Sequence, residues 1–317
     1  SIMEIESSYL VDSHCHLNFK DFEEDFDSVI QRAKDSNVQI MVSISTELEE
    51  IDHIIKISES YNNIYCTVGV HPHSAKIQNK LSEDFLIERA SNPKVIGIGE
   101  TGLDFYYENS LKEDQIDSFI KHINVSRETQ LPLIIHTREA DEKTCEILES
   151  EYKNGSFPAI IHCFTAGANL AKRVIDLGFY ISLSGIVTFK NASDLRETIK
   201  KIPLDRIIVE TDSPYLSPEP LRGKRNEPSH VLHTAKYLAD FYRKDENEFF
   251  TMTTDNFFKT REDRVKKLEP RQALPFHATV AKLLFVAKWG RPDILLTISF
   301  LTTRVKAPDT DNCKKLI

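Results

Sequence analysis

A chain of 317 residues, 40% hydrophobic and 28% charged, holds too much apolar content for a disordered polymer and is long enough for one large barrel or two ordinary domains. No apolar run reaches the ~18 residues of a bilayer-spanning helix, and Glu4 and Glu6 stand where a secretory leader would be basic, so a cytoplasmic protein without membrane contact is expected. The net charge of −9 divides into 27 basic and 43 acidic residues up to Phe258 and 13 basic and 6 acidic from Lys259 onward; so acidic a body is a poor electrostatic footprint for broad nonspecific nucleic-acid binding, and a phosphate substrate would have to be gripped locally.

Along the chain, short β-branched or apolar runs occur at 9–11, 40–44, 64–70, 95–98, 132–135, 159–161, 179–183 and 207–209. Between them lie segments whose apolar residues recur every three or four positions, at 25–36, 49–60, 113–129, 139–149, 168–177 and 192–202. Strands alternating with helices predict a parallel sheet covered by helices. Eight such strands in roughly 250 residues match a closed α/β (β/α)8 TIM barrel. No Gly-x-Gly-x-x-Gly turn follows the first run, which argues against a dinucleotide-binding sheet. The expected domain is residues 1–260, with 261–317 a basic, helix-prone tail that does not belong to the barrel.

Polar residues end these runs at one level. His14 and His16 follow the first strand, and in an extended segment side chains at i and i+2 point the same way and can chelate one ion. Glu100 closes Ile96-Gly97-Ile98-Gly99, where a carboxylate is costly without a partner. Its two oxygens can reach two ions, whereas the alternative is a strand-end carboxylate bound to a loop backbone. His136 and His162 each cap a wholly apolar strand, as a satisfied core histidine or as ligands of a second metal position. Asp212 ends the eighth strand, which barrel closure places beside the first. The five cysteines are odd in number and contain no Cys-x-x-Cys pair, which points to a reducing compartment; strand alternation turns Cys15 and Cys163 away from the ligand face.

The stretches Val11-Asp12-Ser13-His14-Cys15-His16-Leu17, Gly69-Val70-His71-Pro72-His73, Gly97-Ile98-Gly99-Glu100-Thr101-Gly102-Leu103-Asp104, Leu133-Ile134-Ile135-His136, Ile161-His162-Cys163-Phe164 and Val209-Glu210-Thr211-Asp212-Ser213-Pro214-Tyr215, followed by Arg222-Gly223-Lys224-Arg225-Asn226-Glu227-Pro228, resemble in order the motifs of the TatD family of metal-dependent deoxyribonucleases. The resemblance covers about 250 residues. It implies that His14, His16, Glu100 and Asp212 bind one divalent cation and that Glu100, His136 and His162 bind a second, with Glu100 bridging. The ions it implies are Mg2+ or Mn2+, with Zn2+ as a further option. The activity it implies is hydrolysis of DNA from the 3′ end, a 3′-5′ exonuclease reaction connected with DNA repair. In this chain Asp212 is expected both to ligate and to orient the attacking water, and His71 to donate to a phosphate oxygen. Arg138, Arg222, Lys224 and Arg225 are expected phosphate contacts. One departure is Phe164-Thr165-Ala166-Gly167, where alanine replaces a small polar residue or glycine, a change that bears on substrate fit.

Rival readings remain at this stage. Other two-metal barrels, such as lactonases and cyclic amidases, often bridge their ions with a carboxylated lysine where Glu100 stands. The same ions could also act on a misacylated tRNA ester, as in a D-aminoacyl-tRNA deacylase. A non-catalytic binding module would be expected to have lost a ligand, and every one is present. A monomer is the simplest oligomeric expectation. The tail, with its segments 276–285, 291–294 and 300–309, resembles a fragment of copia-type retrotransposon polyprotein that lacks polymerase carboxylates, and it reads as two short helices at 277–289 and 292–304.

Overall fold

The computed structural model describes residues 8–107 and 109–260. Eight parallel strands follow one another around the sheet in chain order: β1 (Leu10–Cys15), β2 (Val38–Ser43), β3 (Ile64–Val68), β4 (Val95–Asp104), β5 (Leu133–Arg138), β6 (Ala159–Ile161), β7 (Tyr180–Leu183) and β8 (Ile207–Val209). The ring closes beyond β8, where Cys15 forms a parallel bridge with Ser213 and the amides of His16 and Asp212 donate to Ser213 O and His14 O at 2.9 and 2.8 Å. Asp12, fully buried, tightens this seam by accepting from the amide and hydroxyl of Thr211 at 2.9 and 2.6 Å.

Helices α1 (Phe26–Asp35), α2 (Ile51–Glu59), α3 (Glu83–Ala90), α4 (Lys112–Thr129), α5 (Asp141–Lys153), α6 (Ala168–Asp176) and α7 (Ser193–Ile199) lie between successive strands, and α8 (Val231–Phe241) and α9 (Glu246–Lys259) follow β8. Several of these present an apolar stripe. In α1 it is Val29, Ile30 and Ala33; in α6 it is Leu170, Ala171 and Val174. The strand alternation then divides the interior. Ile135, Ile161 and Val209 join the large core shared with the helices, while Ile134, Ile160, Tyr180 and Ile208 form a separate cluster. Because side chains alternate with period two, this smaller cluster shares its face with His136, His162 and Glu210, and so it lies in the barrel directly beneath them. The expected barrel is thus present. The expected helical extension at 261–317 and the retroelement-like stretch lie outside the described residues.

The longest departure from the expected elements is β4. It runs ten residues and carries Glu100 inside the strand rather than just past its end. Gly99 and Gly102 hold φ of 141° and 138°, a region open to glycine and strained for other residues.

One buried histidine sets the loop after β3. His122 of α4 is fully buried, accepts from Val70 N at 2.9 Å and donates through Nδ1 to Ser118 O at 2.6 Å. Burial pushes it from 6.5 down to about 4. Between those pH values the unfolded chain binds a proton that the folded chain refuses, so stability is full above pH 6.5 and falls by about 3 kcal/mol by pH 4. His122→Gln, measured by urea unfolding, is expected to be less stable than the parent at pH 7 and to close that gap by pH 4.5. A gap independent of pH would refute the assignment.

Candidate metal centre

Six of the expected residues converge at the carboxyl ends of the strands. Glu100, only 3% exposed, lies at the middle and turns its two oxygens to different partners. Oε2 lies 3.2 Å from His14 Nε2 and 3.9 Å from His16 Nε2; Oε1 lies 2.8 Å from His162 Nε2 and 3.4 Å from both His136 Nδ1 and His71 Nε2. Asp212 Oδ1 closes the first group at 3.2 Å from His16 Nε2 and 3.4 Å from His14 Nε2. His162 stands between the groups, with its ring stacked on His14 at 3.9 Å and its Nε2 3.4 Å from His136 Nδ1.

The far nitrogen of each ring decides what the near one can do. His16 donates through Nδ1 to Ile44 O at 3.3 Å, His162 through Nδ1 to Glu210 Oε2 at 3.2 Å, and His136 through Nε2 to Asp104 Oδ2 at 2.8 Å. In the neutral ring, the inward nitrogen of each is then a lone pair. Those lone pairs face the oxygens of Glu100 and Asp212, which as carboxylates are acceptors too. Neutral rings would thus set acceptors against acceptors in a buried site, an arrangement that a cation between them satisfies. His14 makes the need explicit: both its ring nitrogens are buried and neither has a hydrogen-bond partner among the described residues. Titration points the same way. Burial works against charge on His16, His136 and His162, yet the neighbouring carboxylates outweigh it and raise all three. Burial likewise works against charge on Glu100, but His162, His71 and His14 hold it well below the usual carboxylate range. The residues present therefore fit divalent metal.

Among the described residues, ligand-type atoms within 4.8 Å of one another form three overlapping groups: His14, His16 and Glu100; His71, Glu100 and His136; and His14, His162, Glu210 and Asp212. His71 differs from the others in chemistry. Its Nδ1 accepts from the amide of His73 at 3.0 Å, which places the proton on Nε2, and burial pushes its pKa down to about 4. It is a neutral donor aimed into the site rather than a lone pair.

With this geometry in view, residues 11–260 match the TatD related DNase family over most of the chain. The chain belongs to the TatD family of metal-dependent hydrolases. It is 42% identical to the uncharacterized metal-dependent hydrolase YcfH of Escherichia coli over 252 residues, covering 78% of this chain and 94% of that protein. It is 32% identical over 256 residues to the 3′-5′ ssDNA/RNA exonuclease TatD of Shigella flexneri, covering 79% of this chain and 98% of that protein. Among solved structures, the TatD homolog YjjV of E. coli superposes with a TM-score of 0.71 at 26% identity, covering 80% of this chain and 98% of that one.

The substrate side of this TatD-family site is a cleft of about 910 Å3 whose lining includes His71, Glu100, Tyr107, Arg138, Asp212 and Tyr215. Of the expected phosphate contacts, His71 and Arg138 line it. Arg225 donates to both oxygens of Asp25 at 2.8 Å and to Asp21 O at 2.7 Å, so its charge is already paired. Arg222 lies over the Phe189 ring at 3.6 Å, and Lys224 is exposed; neither lines the cleft. Cys15 donates to Val42 O at 3.3 Å and Cys163 contacts the Ser184 hydroxyl at 3.5 Å; neither thiol joins a ligand group among the described residues.

Two functional side chains carried no expectation from sequence. Asp104 accepts from His136 and also from His73 at 3.0 Å, and it is anchored by the amides of Tyr106 and Tyr107. Glu210, fully buried, accepts from His162 and from the amide of Cys163 at 2.7 Å. Both lie inside the motifs, so their places were visible while their partners were not.

Proposed function

We propose that this site hydrolyses phosphodiester bonds of DNA from the 3′ end, with two divalent ions bridged by Glu100. The observation that carries the reading is the division of the Glu100 carboxylate: Oε2 faces the pair His14 and His16, and Oε1 faces His136 and His162. Divalent ions held there would act as Lewis acids on a phosphoryl oxygen and lower the pKa of a water. Mg2+ or Mn2+ suits a site with two carboxylates, and the imidazoles also admit Zn2+.

The chain's own residues supply the rest. Asp212 presents Oδ1 to His14 and His16, while Oδ2 has no protein partner among the described residues and can orient the attacking water and accept its proton. His71 donates a hydrogen bond from its Nε2–H to a non-bridging phosphate oxygen. Arg138, at the cleft wall, supplies the cation that the paired Arg225 cannot. Asp104 and Glu210 fix the tautomers of His136 and His162, a role whose removal typically costs 10- to 100-fold in metal affinity or activity. Asp104→Asn and Glu210→Gln are therefore expected to raise the metal concentration for half-maximal activity by roughly 10-fold or more. An unchanged metal requirement in both would exclude that role.

The function itself is tested by offering the purified protein single-stranded DNA and aminoacyl-tRNA side by side in Mg2+, Mn2+ and Zn2+. Release of nucleotides from the 3′ end is expected. Ester cleavage of aminoacyl-tRNA without DNA loss would move the reading to a deacylase.

A further inference from the structure

Among the described residues, the exposed large hydrophobic side chains are Tyr106, Tyr107, Leu111 and Tyr215. Three of the four are tyrosines in the two loops that flank the metal centre: one loop follows β4 and the other follows β8. In an eight-stranded ring taken in chain order, β4 and β8 face each other across the mouth, as do β5 and β1. Each tyrosine loop has a planar partner on the neighbouring strand end. The Arg138 guanidinium, from β5, lies over Tyr106 at 4.1 Å and over Tyr107 at 4.7 Å. Phe19, just past β1, packs edge-on to Tyr215 at 6.2 Å and stacks on His16 at 4.7 Å, with 11° between the planes. The hydroxyls of Tyr106, Tyr107 and Tyr215 have no hydrogen-bond partner among the described residues, so no polar contact accounts for rings 56%, 46% and 56% exposed to water.

Charge makes these rings more telling. The cleft lining contains Arg138 as its single lysine or arginine among the described residues. The barrel carries 43 acidic against 27 basic residues up to Phe258. A nucleic acid cannot be held here by its backbone along any length. Beyond the grip of bound ions, His71 and Arg138 on the one phosphate being cleaved, stacking of bases on aromatic and guanidinium planes is the remaining source of affinity, and it needs bases that are not paired.

We propose that Tyr107 with Arg138 on one flank, and Tyr215 with Phe19 on the other, are stacking platforms for two unpaired nucleobases on either side of the phosphate being cleaved. This rests on the phosphodiester reading and adds a requirement at the end of the strand: both terminal bases must be present. A duplex end, with its bases already stacked and paired, meets the platforms poorly.

The test uses the full-length protein and two single strands that differ only at their last two 3′ residues. One carries bases, with 2-aminopurine at the end; the other carries base-free tetrahydrofuran residues. The base-bearing strand is expected to show quenched 2-aminopurine fluorescence on binding and a kcat/KM at least about 10-fold above the base-free strand. Tyr107→Ala and Tyr215→Ala are each expected to cut that ratio by roughly 10-fold and weaken the quenching, whereas Tyr107→Phe and Tyr215→Phe, which keep the ring, retain both. A ratio near one in the parent protein, or a ratio unmoved in both alanine variants, overturns the proposal. If neither strand is cut, the phosphodiester reading fails, and the quenching decides the platforms alone: quenching lost in the alanine variants supports them, and its absence in the parent refutes them.

Discussion

Glu100→Gln is expected to lower DNA hydrolysis by roughly 1,000-fold or more and to reduce the divalent metal retained per chain. The glutamine keeps the shape of the side chain but has one acceptor oxygen in place of two and carries no charge. One of the two histidine groups would then face an amide N–H₂, a donor where a cation must sit. Losing the grip on one ion removes several kcal/mol of charge stabilisation, and each 1.36 kcal/mol is tenfold in rate. Steady-state rates on single-stranded DNA, together with metal content after gel filtration, measure both effects. A rate within 10-fold of the parent at saturating Mg2+ would mean that the carboxylate bridges nothing.

Gly102→Ala is expected to have the largest effect on the fold. At Gly102, φ is 138°, and a Cβ there would collide with the carbonyl oxygen of His136 and come within 2.9 Å of its carbonyl carbon. Neither strand can yield easily, because Gly102 and His136 are register partners in the β4–β5 ladder. The strain and the overlap together are worth about 4 kcal/mol. The damage would reach the site directly, since β4 carries Glu100 and Asp104 and β5 carries His136. Gly178→Ala serves as the comparison: its φ of 83° imposes strain, but nothing lies within 4 Å of the added carbon. That variant should lose only about 1 to 2 kcal/mol and keep its activity. Equal losses in urea unfolding for the two variants would contradict the collision.

The sequence was most readable where chemistry interrupts a simple pattern. A wholly apolar run such as Leu133-Ile134-Ile135 leaves little doubt of a strand, and the histidine that ends it is conspicuous because nothing apolar explains it. The same logic located His162 and Asp212, and the observed strands at 159–161 and 207–209 coincide with the expected ones. It fell short at β4, where the apolar run that marks the strand stops at Ile98. The unusual backbone angles of Gly99 and Gly102 in fact let the strand continue to Asp104. It fell short again at Asp104 and Glu210, because a carboxylate becomes an orienting group only through a histidine tens of residues away, and no local pattern encodes that pairing. Arg225 shows the converse. A basic residue in a basic loop suggests phosphate, and only the fold reveals Asp25 beside it. The loop histidine His71 lines the cleft, but its difference from the other rings depends on one amide hydrogen bond from His73, which no local pattern encodes.

Crystals grown with Mn2+ and measured for anomalous scattering test the central claim most directly. Two peaks are expected, one among His14, His16, Asp212 and Glu100 Oε2, the other among His136, His162 and Glu100 Oε1. A single peak, or a pair with no contact to Glu100, would contradict it.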